Sequence, residues 1–162
     1  MTLAIVLIVS VVIAAADQII KYFVLQNLAP VGSVTLIDSL LSLVYVENRG
    51  AAFGMFQNSI WIFTIITFVI MGIFIYLIIS KKFEGKLFLT ATTLIIGGGI
   101  GNLIDRIFRG FVVDYFAVSF FPPVCNLADY CITIGAALFV ISLLFSGNSN
   151  EKKLAKAAEE QG

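Results

Sequence analysis

Four long apolar stretches decide what this chain can fold into. They run at about 3–24, 60–80, 87–105 and 124–145, and each is near the ~20 residues a helix needs to cross the hydrocarbon of a bilayer. Backbone N–H and C=O groups find no water there, so an apolar span must satisfy them within itself, as a helix. With 60% hydrophobic and 12% charged residues and a mean hydropathy of +1.05, little remains for a separate soluble domain. The expected fold is an all-α membrane protein of four transmembrane helices forming a single domain over 1–162. Residues 25–59 alternate apolar and polar side chains around Ser33–Ile37 and Leu41–Val46, punctuated by Gly32 and Gly50. They are expected to form a small β-rich subdomain and surface loop outside the membrane. Residues 146–162 read as a polar cytoplasmic tail in the form of a frayed helix.

Ten basic and ten acidic residues cancel, so no basic surface suggests nucleic acid. Histidine is absent, which removes His-based zinc sites, metalloproteases of the His-Glu-x-x-His type, and Ser-His or Cys-His catalysis. Neither a metal nor another cofactor is expected. Cys125 and Cys131, six apart on an expected helix, would point about 240° apart and read as small packing residues. Residues 1–16 ending in Ala14-Ala15-Ala16 resemble a cleavable leader, but no positive residue precedes them and the apolar pattern resumes after Asp17. They are therefore read as part of the first span.

Six of the ten basic residues (Lys81, Lys82, Lys86, Lys152, Lys153, Lys156) fall in the 81–86 turn and the tail. Cationic loops stay in the cytoplasm, which puts both there, along with the N-terminus. On that topology Asp17, Lys21, Asn48, Arg49, Asn102, Asp105, Arg106, Asp114, Asn126 and Asp129 converge at one depth, near the outer surface. Several have plain explanations. Asp17 and Lys21 are an i, i+4 ion pair, as are Asp105 and Arg109; Arg106 is expected to hold a carboxylate in its guanidinium fork. Gly97-Gly98-Gly99-Ile100-Gly101 fails as a phosphate loop, because no Gly-Lys-Ser/Thr follows, and reads as a small-xxx-small surface for close helix approach.

Asp114 and Asp129 are harder to explain away. Each lies in an apolar setting with no basic residue within four positions, and an ionisable group in a membrane protein marks function. Two adjacent carboxylates share a proton, so one can act as base towards water while the other polarises a carbonyl. That arrangement uses none of the groups the chain lacks. A proton-coupled transporter is the alternative, but it favours polar residues spread through the membrane and internal repeats. A scaffold protein using polar groups as glue leaves their convergence unexplained.

The motifs Asp17-x-x-x-Lys21, Asn48-Arg49-Gly50-Ala51-Ala52-Phe53-Gly54, Gly101-Asn102-Leu103-Ile104-Asp105-Arg106, Val113-Asp114-Tyr115 and Asn126-Leu127-Ala128-Asp129, in that order across four spans, resemble the bacterial prolipoprotein signal peptidases (signal peptidase II). The resemblance covers nearly the whole chain. It implies an aspartic endopeptidase of the bacterial cytoplasmic membrane with Asp114 and Asp129 as its catalytic dyad. It further implies that Asp17, Lys21, Asn48, Gly50, Asn102, Asp105, Arg106 and Asn126 line or brace the site. The implied substrate is a diacylglyceryl-modified prolipoprotein cut just before its lipidated cysteine, with membrane lipid as surroundings and no need for more than a monomer. Tyr115, where the family usually has Phe, and Cys125, where Phe commonly precedes the Asn, are departures. The 25–59 segment is expected to clamp over substrate, with Gly50 and Gly54 as flexible points and Phe53 approaching the fourth helix.

Overall fold

The computed structural model describes residues 2–50, 60–81, 83 and 85–159, with side chains described from 3 to 145 within those ranges. Four helices carry the architecture: α1 (Thr2–Phe23), α2 (Ile60–Ile79), α3 (Lys86–Phe108) and α4 (Leu127–Glu159). All four are long and apolar enough to cross a membrane. The clamp residues Gly54 and Phe53 lie outside the described residues. The backbone of α4 continues as helix well past Phe145, so the segment read as a tail begins as its extension.

α3 is the central helix. In its most apolar stretch 67% of residues are buried, against 17–22% in the other three, because α1, α2 and α4 pack around it. Its glycines allow this. A Cβ on Gly97 would lie 2.8 Å from Cβ of Ile13 in α1, and one on Gly98 would overlap the backbone carbonyl of Ala128 in α4. Without a hydrophobic force between helices in lipid, such close backbone approach is a main source of association. At the opposite end from the polar residues, Val6, Phe74, Phe88, Ile95 and Ile96 form an apolar core, with Phe74 and Phe139 packed edge-to-face at 5.0 Å.

The second component is a four-stranded antiparallel sheet in the order β1 (Ser33–Ile37), β2 (Leu41–Asn48), β3 (Val112–Val118), β4 (Phe121–Cys125). The first hairpin matches the sequence expectation. The second corrects it: the sequence places residues 124–126 in the fourth span, yet Phe121–Cys125 is a strand and the helix begins at Leu127. Cys125 therefore lies on β4 and only Cys131 is helical; both are free thiols. The physical reason is visible in hindsight. Val112, Val113, Tyr115, Phe116 and Val118 are β-branched or aromatic, and Pro122 and Pro123 suit only an edge strand, which β4 is.

Two backbone devices join helices to sheet. α1 ends in a π-helical turn, Val24–Leu28, in which the N–H of Ala29 donates to the carbonyl of Val24 at 2.9 Å. Val24 and Leu28 then pack with Val113 and Tyr115 under the sheet. α3 stops at Gly110, whose φ of +76° is open to glycine and strained for other residues. That turn sends the chain directly into β3.

Gly98→Ala is expected to force α3 and α4 apart at Ala128, lowering stability by about 1–3 kcal/mol. Thermal unfolding in detergent measures it, and an unchanged midpoint would refute the close-packing account.

Candidate active site

The polar residues meet where the C-terminal ends of α1 and α3, the start of α4 and the strand β3 converge. At the centre is Lys21, fully buried. Its ammonium donates to Oδ2 of Asp17 at 2.8 Å, Oδ2 of Asp105 at 2.9 Å and Oδ1 of Asn102 at 2.9 Å. All three N–H groups are used, as a buried ammonium requires. The expected Asp17–Lys21 pair exists, but it is one contact of three, and Lys21 ties α1 to α3.

Asp17 and Asp105 reach further. Oδ1 of Asp17 accepts the N–H of Ala128 at 3.0 Å, and Oδ2 of Asp105 accepts the N–H of Val113 at 3.0 Å. One carboxylate thus fixes the start of α4 and the other fixes β3. The Nε2 of Gln18 donates to Oδ1 of Asp105 at 3.1 Å and to the carbonyl of Gly101 at 3.0 Å. Arg109 pairs with Asp105 and donates to Oε1 of Gln18 at 2.9 Å. Arg106 departs from expectation. It lies within electrostatic range of Asp105, Asp114 and Asp129, yet forms no ion pair among the described residues. The i, i+4 spacing puts Arg109, not Arg106, on the face of Asp105.

The first turn of α4 would leave backbone donors unsatisfied, and each finds an acceptor. The N–H of Leu127 donates to the Tyr115 hydroxyl at 3.2 Å and that of Ala128 to Asp17. The N–H of Asp129 donates to Oδ1 of Asn126 at 2.9 Å, while the N–H of Asn126 donates back to Oδ2 of Asp129 at 3.1 Å. This reciprocal pair is a capping box. Tyr115, a departure from the usual Phe, thus uses its hydroxyl on the helix.

Asp114 and Asp129 are joined through two asparagines. The Nδ2 of Asn126 donates to Oδ1 of Asp114 at 2.6 Å and to Oδ1 of Asn102 at 3.2 Å; the Nδ2 of Asn102 donates to Oδ1 of Asp129 at 2.8 Å. Asn48, two residues along β2 from the partner of Asp114, reaches diagonally and donates from Nδ2 to Oδ2 of Asp114 at 2.9 Å. The N–H of Gly50 donates to Oδ1 of Asn48 at 3.0 Å. Burial, and secondly the charge of Asp129, push the Asp114 carboxyl up to about 7 against the donations of Asn48 and Asn126. Burial also raises the thiol of Cys125 to about 11, which leaves it an inert thiol at neutral pH. Beside this cluster an apolar groove of about 650 Å³ is lined by residues including Ile20, Leu43, Tyr115, Phe116, Leu127 and Tyr130.

Every site residue proposed from the sequence except Arg106 and Gly50 makes a side-chain contact in this cluster, and Gly50 contributes its N–H. Gln18 and the hydroxyl of Tyr115 were missed. Gln18 lies next to Asp17 in sequence, yet only the packing of α1 on α3 reveals its partners.

The model for Signal peptidase (SPase) II matches residues 9–145. The chain belongs to the signal peptidase II family. It is a peptidase, and it spans the membrane several times. A lipoprotein signal peptidase from Caldanaerobacter subterraneus subsp. tengcongensis is 44% identical over 81% of this chain and 90% of its own length. Another from Shouchella clausii is 39% identical over 90% of this chain and 96% of its own. The chain also resembles a bacterial membrane enzyme solved by the in meso method at 2.3 Å resolution. That likeness has a TM-score of 0.80 and 30% identity, and covers 90% of this chain and 91% of the other.

A raised Asp114 carboxyl has a consequence for folding. Unfolded, the group ionises near 3.8; folded, near 7. The stabilising contribution is therefore complete below about pH 4 and lost as pH rises through 7, since the folded state holds the proton longer. Asp114→Asn is expected to flatten the decline in unfolding temperature between pH 4 and 7; equal slopes in both proteins would contradict the assignment.

Proposed function

We propose that the chain removes signal peptides from diacylglyceryl-modified prolipoproteins, cutting just before the lipidated cysteine, with Asp114 and Asp129 as the catalytic dyad. The observation that carries this is the hydrogen-bonded chain Asp114–Asn126–Asn102–Asp129 in a signal peptidase II family member. It brings together the two carboxylates that the motifs single out. The raised Asp114 carboxyl supports it as the member that holds the shared proton, with Asp129 as the base.

In this reading Asp129 takes a proton from a water molecule as its oxygen attacks the scissile carbonyl carbon. Asp114 gives its proton to the carbonyl oxygen. The resulting gem-diol collapses as one of its hydroxyls returns a proton to Asp114 and Asp129 gives its proton to the leaving cysteine nitrogen; the C–N bond breaks, and one water is consumed overall. Asn48, Asn102 and Asn126 orient the two carboxylates, Gly50 fixes Asn48, and Asp17, Lys21 and Asp105 hold the frame. Arg106 contributes positive potential near both aspartates. A scissile bond within a signal-peptide helix must unwind to be reached, and a polar cleft at the end of the bundle permits that. The apolar groove beside Tyr115 and Leu127 suits an acyl chain of the substrate, which would turn lipid binding into positioning.

Charge placement supports cytoplasmic termini and a site near the extracytoplasmic surface. The chain is read as a monomer surrounded by membrane lipid. A proton-coupled transporter is not favoured, because the buried ionisable groups gather at one end of the bundle.

Cleavage of a diacylglyceryl-modified prolipoprotein by purified protein, followed by gel shift, tests this. Wild type is expected to cleave with chelator present. Asp114→Asn and Asp129→Asn, still folded, are each expected to lose at least about a hundredfold in rate. Activity surviving either substitution would remove that residue from the dyad.

A further inference from the structure

An asparagine amide presents either an acceptor or a donor, depending on which way it faces, and three of them contact the two aspartates. In each case a group able only to donate decides the direction. The N–H of Gly50 claims Oδ1 of Asn48, the N–H of Asp129 claims Oδ1 of Asn126, and the ammonium of Lys21 claims Oδ1 of Asn102. The NH₂ ends of all three then point at Asp114 or Asp129. Two of the deciding donors are backbone groups, which no substitution removes directly. The third is a side chain.

We propose that Lys21 is a positioning residue for the reaction: by holding the carbonyl of Asn102, it turns the Asn102 NH₂ onto Asp129 and so favours the ionised base. This rests on the reading of Asp114 and Asp129 as the dyad. Asn102 has two competing orientations. With Lys21 present, a flip would aim its NH₂ at the ammonium and at the NH₂ of Asn126, leaving donors facing donors. Without Lys21, only the NH₂ of Asn126 still opposes the flip, and a flipped Asn102 would present its carbonyl to Asp129. A carbonyl facing a carboxylate favours the protonated acid.

Other groups also act on Asp129, and Asp114 among them feels the charge of Lys21 directly. Asp114 and Tyr115 on β3, Cys125 on β4, Arg106 on α3 and Tyr130 on α4 all lie within electrostatic range. Asp17 and Asp105 contact Lys21 itself. An effect of Lys21 through its charge alone must therefore be separated from an effect through Asn102.

The experiment is the pH profile of kcat/KM for prolipoprotein cleavage in a double-mutant cycle of Lys21→Met and Asn102→Leu. Lys21→Met is expected to move the acidic limb up by about one pH unit, the size of one lost hydrogen bond to the base. Asn102→Leu, which leaves the ammonium in place, is expected to move it similarly, and the double variant no further. Lys21→Arg, a larger donor-only cation, is expected to keep the wild-type limb. Should Lys21→Met not fold, Lys21→Gln replaces it. Glutamine must give its NH₂ to Asp17 or Asp105, so its carbonyl faces Asn102 and the same upward shift is expected. An unshifted limb in folded Lys21→Met or Lys21→Gln would overturn the proposal. So would a Lys21 shift that persists in full on the Asn102→Leu background, because the effect would then be charge alone. Failure of the dyad itself would be recognised separately, by cleavage surviving in Asp129→Asn.

Discussion

Placing an ammonium at zero exposure within a helical membrane protein is tolerable only where each of its N–H groups meets an acceptor, and Lys21 meets three. Two are carboxylates, whose second oxygens bind backbone N–H groups at the start of α4 and in β3. The third is the amide that reaches Asp129. One cation therefore registers two helices, a strand and a further helix against each other. Asp17 and Asp105 are matched in number by Lys21 and Arg109, with which they pair. A buried ion network of this kind is weak evidence for stability. Its value here is geometric, because it leaves few alternatives for how four separate chain segments meet.

The glycines of α3 serve the same end by a different route. A Cβ on Gly101 would lie 2.6 Å from Oδ2 of Asp17, in the space the ion network occupies. The helix that carries Asn102 and Asp105 is smooth where α1 and α4 approach, so the buried carboxylates can sit between backbones. Packing and electrostatics are not independent features of this fold. Small residues make the room, and the charges fill it.

The four spans were legible because hydrocarbon thickness and backbone hydrogen bonding leave helices little freedom of length. The convergence of polar residues at one end followed from topology alone. β3 and β4 were hidden by their neighbourhood: Phe111–Val118 is apolar enough to pass for a connection at the membrane surface, and Val124 and Cys125 merge with the apolar run of α4. Asp17 and Lys21 announced themselves as an i, i+4 pair, whereas the contact of Lys21 with Asp105 crosses between helices. Arg106 and Arg109 both neighbour Asp105, and helical phase decided between them. Gln18 carried no signal, since a glutamine beside an aspartate is unremarkable until the opposing helix is in place.

Asp129 closes the capping box of α4 with Asn126, and it does so as an acceptor next to the positive end of a helix dipole. A carboxylate fulfils that role well only when ionised. If the same group takes a proton from water in each catalytic cycle, the first turn of α4 is weakened and restored once per peptide cut. Proton transfer at the site would then be felt as a periodic loosening of the first turn of α4, synchronised with turnover and reversed when the leaving nitrogen takes the proton.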